Sequence, residues 1–291
     1  MFGSRTLSEL TGAQVHLKAE LFQRTGSFKP RGMLNKVASL TDEEKARGVV
    51  TWSAGNAAQG LAWSAATEGI PCLVFMWRTA NPLKVAATRG YGAEVDLESE
   101  SAATAHERLL EHVEATGAVF AHPFDDPVLQ AGHGTLGLEI AEDVPEADVV
   151  VVPVGGGGLI AGVATALDCR VVGVEPEGAA GLSAALAAGK PVPVEPRTIA
   201  DGLAAPFTGE HSLAVARDRV DEVVLVSEEE IEDGFRFLYG RAKLACEPAG
   251  AASTAALLAG KIALEPGETV VAVVSGGNAA PETASAILAP R

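Results

Sequence analysis

The sequence predicts an α/β protein built on mostly parallel sheet. Short valine-rich runs alternate with alanine-rich segments of helical period along its 291 residues. The runs are apolar at consecutive positions, as strands covered by helices on both faces must be. Several strand-to-helix junctions are marked by glycine, the residue that turns most freely. In order, Val49-Val-Thr-Trp52 reads as a strand and Asn56 to Glu68 as a helix. A strand follows from Pro71 to Met76, and a helix from Ser101 to Thr116. Asp148 to Val154 is a strand, four glycines make a turn, and Leu159 to Leu167 is helical. Arg170 to Val174 and Glu268 to Val274 are the remaining clear strands. The proline-dense stretch Pro191-Val-Pro-Val-Glu-Pro196 reads as a surface loop. No helix-rich extension follows Val274, so no separate regulatory domain is expected.

Composition narrows the function. The chain is long enough for one large or two modest domains. Its 22 basic and 38 acidic residues give a net charge of −16. Without a basic block, nucleic acid and anionic membranes are poor partners. Any phosphate must be held locally, by backbone amides and chosen side chains. Cys72, Cys169 and Cys246 are far apart and form no CxxC pair, which argues for a reducing compartment and against a zinc cluster. The N-terminus has no basic-then-apolar signal and no apolar run reaches spanning length. A cytoplasmic protein is expected.

Four segments carry the chemistry. In Thr25-Gly-Ser-Phe-Lys29-Pro-Arg-Gly32 a lysine lies in a turn-rich stretch beside an aromatic, with Pro30 and Gly32 restricting the backbone. A solvated surface lysine needs none of this. A Schiff-base lysine does, because its amine must be held and partly desolvated to react as a neutral nucleophile. Ser53-Ala54-Gly55-Asn56 lies where a strand ends and a helix begins, where free N–H groups attract a carboxylate; the bland alternative is a glycine turn with an asparagine cap. Gly155, Gly156, Gly157 and Gly158 present successive amides to a phosphate. Ser275, after the last strand, is placed to meet a ring nitrogen, or to make a plain turn. Gly156-x-Gly158-x-x-Ala161 with Glu175 also fits a dinucleotide fingerprint, which would make the protein an oxidoreductase but leaves the lysine segment unexplained. Together the four segments supply what pyridoxal 5'-phosphate and an amino acid require.

In these segments the sequence resembles the fold-type II pyridoxal-phosphate enzymes, within the threonine/serine dehydratase and serine racemase branch. The resemblance adds Lys18-Ala-Glu20, His122-Pro-Phe-Asp-Asp126, Ala131-Gly-His-Gly-Thr135 and Cys246-Glu-Pro-Ala-Gly-Ala251, and runs nearly end to end. It implies a tryptophan synthase β-like α/β fold with two open, twisted, mostly parallel sheets and flanking helices. Residues 1–47 and 126–291 would form the large cofactor-binding domain, and residues 48–125 an inserted, mobile small domain. Lys29 would be the Schiff-base lysine and the acceptor of the Cα proton. Phe28 would flank the cofactor, Asn56 bond its ring hydroxyl, Gly155 to Gly158 bind its phosphate, and Ser275 face the pyridine nitrogen. Ser53, Ala54, Gly55 and Asn56 would hold the substrate. The implied activity is an ammonia-lyase acting on L-threonine, L-serine or a related β-hydroxy amino acid, in a homodimer.

The sequence departs from the branch at four points. Racemases carry a serine where Ala54 stands, as a base on the opposite face, so elimination is favoured over racemisation. Ala57 replaces the usual histidine beside the substrate carboxylate, a feature shared with threonine-synthase-like β-replacement enzymes. Gly181 replaces an aspartate six residues after Glu175, so no metal is expected. The helix and Thr-Pro segment that usually precede Arg5-Thr-Leu-Ser-Glu-Leu10 are missing. A serine racemase-like enzyme, a β-replacement enzyme and a homologue that binds ligand without turnover remain alternatives at this point. His16, His106, His112 and His211 share no metal spacing and read as surface or capping residues. Asp125-Asp126 reads as a turn cap before Pro127, Glu228 to Glu230 as an acidic first helical turn, and Glu247 as a supporting residue near the cofactor.

Overall fold

The computed structural model describes residues 1–290. Its strands are β1 (Phe2–Gly3), β2 (Gln14–Ala19), β3 (Val49–Trp52), β4 (Cys72–Trp77), β5 (Glu94–Ser99), β6 (Val119–Phe120), β7 (Val149–Pro153), β8 (Arg170–Pro176), β9 (Glu222–Val226) and β10 (Thr269–Val274). They form two sheets in two compact units. One unit comprises Met1–Phe22 with the residues from His133 onward; the other is Gln23–Gly132.

The first unit holds a six-stranded sheet in the order β1-β2-β10-β7-β8-β9. Only the short β1 runs antiparallel to its neighbour; the other pairings are parallel. Every residue of β7 and β10 is buried, which explains why valine dominates both strands. Val149, Val151, Val172, Val270 and Ala272 pack with Leu7, Phe235 and the small residues of the helix Pro248–Leu258. Burying each such aliphatic side chain is worth roughly 1.5–3 kcal/mol.

The second unit holds a four-stranded, all-parallel sheet in the order β5-β4-β3-β6. One face packs Val49, Val74 and Met76 against Leu61, Ala62, Met33 and Val37. The other packs Val50 and Phe75 against Ala105 and Leu109 of the helix Ala102–Thr116. Met33 and Val37 belong to the helix Lys29–Ala38. That shared core places residues 23–47 in this unit, whereas the sequence drew the boundary at 47/48. On the other side the unit ends at Gly132 rather than at residue 125.

Each sheet changes its winding direction once. Strands β7, β8 and β9 run outward to one side, and β10 falls on the other side of β7. Likewise β3, β4 and β5 run one way and β6 lies on the far side of β3. Open α/β sheets bind ligands beyond the strand C-termini at such a switch point. The segments that leave these points are the loops after β7 and β10 in one unit, and after β3 and β6 in the other. No helix among the described residues is long and apolar enough to cross a membrane.

Candidate active site

In the second unit the site is built around Lys29. The sequence reads its segment as turn; the structure makes Lys29 the first residue of a ten-residue helix, Lys29–Ala38. Pro30 suits that position, since a first-turn residue has no intrahelical N–H bond to lose. The turn lies just before it. Thr25 has φ 59° and Gly26 φ 72°, a left-handed pair that reverses the chain into the helix. Gly60, in the helix Asn56–Glu68, permits close packing on the lysine: a Cβ there would sit 3.0 Å from Lys29 Cβ and 3.2 Å from its carbonyl carbon.

Lys29 Nζ donates a 2.6 Å hydrogen bond to the Pro123 carbonyl oxygen, in the loop after β6. It also lies 5.1 Å from the centroid of the Phe28 ring. Burial strips water from the ammonium, and no carboxylate compensates, so its pKa falls to about 8. At pH 7 about one such lysine in ten is neutral, against about four in ten thousand for an ordinary lysine. This is the amine a nucleophilic or proton-accepting lysine requires.

The loop after β3 carries Ser53, Ala54, Gly55 and Asn56. Ser53 Oγ accepts from Gly55 N at 3.2 Å, shaping the turn into the helix Asn56–Glu68. Gly55 is the N-cap and brings no side chain to the first-turn amides. All four residues are half-buried. The next residue, Ala57, is buried in the core with Ala58 and Leu61 and brings no polar group. Asp126 behaves as a cap: its Oδ1 accepts from Val128 N and Leu129 N at 2.8 and 3.1 Å. Its Oδ2 pairs with Lys36 at 2.7 Å. Burial raises its pKa, but Lys36 and the helix amides outweigh burial and hold it below the usual range.

In the first unit the four glycines follow β7 and open the helix Gly158–Ala166. Gly157 has φ +92°, and a Cβ there would lie 2.6 Å from Ser212 Cβ. At Gly155 a Cβ would lie 3.1 Å from Leu203 Cα. Gly157 therefore excludes a side chain, and Gly155 leaves little room for one. The result is a buried cradle of backbone amides at a helix N-terminus, which attracts anions. Ser275 follows β10, which pairs in parallel with β7, so the serine and the cradle leave the same edge at the switch point. Ser275 is 4% exposed. Its turn is fixed from behind, because Gly276 O accepts from Glu247 N at 3.0 Å. Glu247 itself is buried and occupies the N-cap position of the helix Pro248–Leu258, without a side-chain cap hydrogen bond.

Glu175, at the end of β8, is fully buried. Its carboxylate accepts from Leu182 N at 2.6 Å, and from Ser183 N and Oγ at 2.9 and 2.7 Å. Both oxygens are thereby committed to the helix Gly181–Ala188, which removes the ribose acid from the dinucleotide reading. Glu228 to Glu230 form the first turn of the helix Glu228–Phe237, closed by a Ser227–Glu230 capping box.

His122 enters the site without a role in the sequence reading beyond its motif. Its Nδ1 accepts from Asp125 N at 2.8 Å and Phe124 N at 3.3 Å, next to the carbonyl that holds Lys29.

The family described as pyridoxal-phosphate dependent enzyme matches residues 1–276. An L-threonine ammonia-lyase from Thermotoga maritima is 48% identical over 281 residues, covering 94% of this chain and 70% of the relative. Among solved structures, maize serine racemase superposes with a TM-score of 0.93 at 37% identity, covering 97% of this chain and 88% of that one. The processed form of threonine deaminase isoform 2 from Solanum lycopersicum superposes with a TM-score of 0.92 at 34% identity, covering 98% of this chain and 85% of that one.

Proposed function

The chain belongs to the pyridoxal-phosphate-dependent enzyme family, and on that premise we propose that it is an ammonia-lyase converting L-threonine to 2-oxobutanoate and ammonia, with L-serine giving pyruvate. The observation that carries this reading is Lys29, a lysine whose burial brings its pKa to about 8 at the switch point of its sheet. The 48% identity to an L-threonine ammonia-lyase supports the substrate.

The residues fit the cofactor. A desolvated amine suits its aldehyde, successive backbone amides at a helix N-terminus suit its phosphate, and a buried hydroxyl suits its ring nitrogen. Bound pyridoxal phosphate supplies an aldehyde that bonds amines and a ring that draws electron density from Cα. The chain does the rest. The Gly155–Gly158 amides would hold the phosphate, Ser275 would face the ring nitrogen, and Phe28 would flank the cofactor. Asn56 would bond the ring hydroxyl, and Ser53 to Asn56 would hold the substrate carboxylate at a helix N-terminus. Lys29 Nζ takes the proton from the substrate Cα, and the resulting ammonium donates to Pro123 O. A serine at the ring nitrogen cannot keep it protonated as a carboxylate would. The β-hydroxyl is then favoured to leave as water, carrying the proton that Lys29 took from Cα.

Ala54 offers no base on the face opposite Lys29, which favours elimination over the racemisation named for the maize relative. A homodimer in the cytoplasm completes the reading; its three cysteines are free, as a reducing compartment permits. The test is stoichiometry. With L-threonine as sole substrate, the protein should release 2-oxobutanoate and ammonia in equal amounts. A requirement for an added nucleophile would favour β-replacement instead.

A further inference from the structure

We propose that His122 is a positioning residue for Lys29: its Nδ1 fixes the turn that presents the Pro123 carbonyl to the lysine amine. The proposal takes its catalytic meaning from the lyase reading, but its geometry stands apart from it.

The turn begins where β6 ends. Thr51 Oγ1, from the neighbouring β3, donates to Ala121 O at 2.8 Å, and Ala121 N donates to Val50 O. This pins the residue before His122. The imidazole Nδ1 then accepts the amides of Phe124 and Asp125 at 3.3 and 2.8 Å. Two N–H donors aimed at one nitrogen require that nitrogen to be unprotonated. Gln130 Nε2 donates to Phe124 O at 3.2 Å, and Asp126 caps the following helix. Pro123, lying between these anchors, brings no N–H of its own. Its carbonyl is left to receive Lys29 Nζ at 2.6 Å.

The ring is also held in place. It packs edge-on to Phe124 with centroids 4.6 Å apart, and against Phe120 at 5.4 Å. Desolvation in this setting lowers the imidazole pKa to about 4. Asp125 and Asp126 favour its protonation, Lys29 and His106 oppose it, and desolvation prevails. The acceptor at Nδ1 therefore persists across the neutral range. A protonated Nδ1 would point a hydrogen at two amide hydrogens and open the turn.

The experiment is competitive acylation of the full-length protein across pH, with Lys29 followed by peptide mass spectrometry. With the cofactor stripped, so that Lys29 is a free amine, it reports the pKa of that one lysine whether or not the protein turns over substrate. In the wild type the midpoint should lie near 8. His122→Phe keeps a packed ring but removes the acceptor. Its Lys29 midpoint should fall below the wild-type value, because the ammonium loses the carbonyl that accepts its N–H, and labelling at pH 7 should be faster. His122→Asn places an amide oxygen where Nδ1 stands and should restore the wild-type midpoint. A folded His122→Phe protein with an unchanged midpoint would overturn the proposal. So would a folded His122→Asn protein whose Lys29 midpoint shifts as far as that of His122→Phe. Should His122→Phe not fold, His122→Leu, which also removes the acceptor, is read in its place. Failure of the lyase reading is seen separately, as a wild-type protein that releases no 2-oxo acid.

Discussion

Lys29 Nζ and the Pro123 carbonyl oxygen lie 2.6 Å apart, a hydrogen bond across 94 residues of sequence that joins the start of one helix to the loop after β6. A carbonyl satisfies an N–H without adding negative charge. The amine is oriented, yet its pKa stays low, which a carboxylate partner would not allow.

Cofactor uptake should follow the neutral fraction of Lys29. The neutral amine is the nucleophile, and with a pKa of about 8 its population rises with pH and levels off above that value. Stopped-flow absorbance of the cofactor-stripped protein mixed with pyridoxal phosphate should show a plateau above about pH 8 to 9. Uptake that keeps climbing through pH 10 would mean an ordinary lysine.

Gly157→Ala tests the cradle. A left-handed φ costs an alanine about 1–2 kcal/mol, and the new Cβ would lie 2.6 Å from Ser212 Cβ. Urea unfolding should register at least that loss. The dissociation constant for pyridoxal phosphate should rise about tenfold or more, as expected when one hydrogen bond to a charged group is lost. Unchanged affinity would place the phosphate elsewhere.

Ala54 bears on stereochemistry. Supplied with L-serine, the protein should yield pyruvate and no D-serine by chiral chromatography. D-serine formed at a rate comparable to pyruvate would require a second base at a position other than Ala54.

Much of the fold was legible because the central strands are apolar on both faces. β7, β8 and β10 lie within a residue or two of their predicted limits, and the helix Asn56–Glu68 matches at both ends. Strands with mixed polarity were not legible. β5 (Glu-Val-Asp-Leu-Glu-Ser) and β9 (Glu-Val-Val-Leu-Val) are edge strands with half-exposed faces, and β2 interleaves Gln14, His16 and Lys18 with its apolar residues. The helix at Lys29 was hidden by Pro30 and Gly32, which read as turn formers although the first helical turn tolerates proline. That helix packs Met33 and Val37 into the second unit's core, a tertiary fact no local pattern carries. The glycine cradle and Ser275 were visible from their positions after valine strands. His122 was visible only as part of a motif, because its partners are backbone amides, which sequence spacing does not mark.

The central claim is that Lys29 moves the proton in a lyase. The most direct measurement is 2-oxobutanoate release from L-threonine by the wild type and by Lys29→Ala, each supplied with pyridoxal phosphate. The wild type should turn over steadily, and the variant should lose about 10²–10⁴-fold or more, the usual contribution of a positioned acid–base group. A Lys29→Ala protein that keeps the wild-type rate would contradict the account.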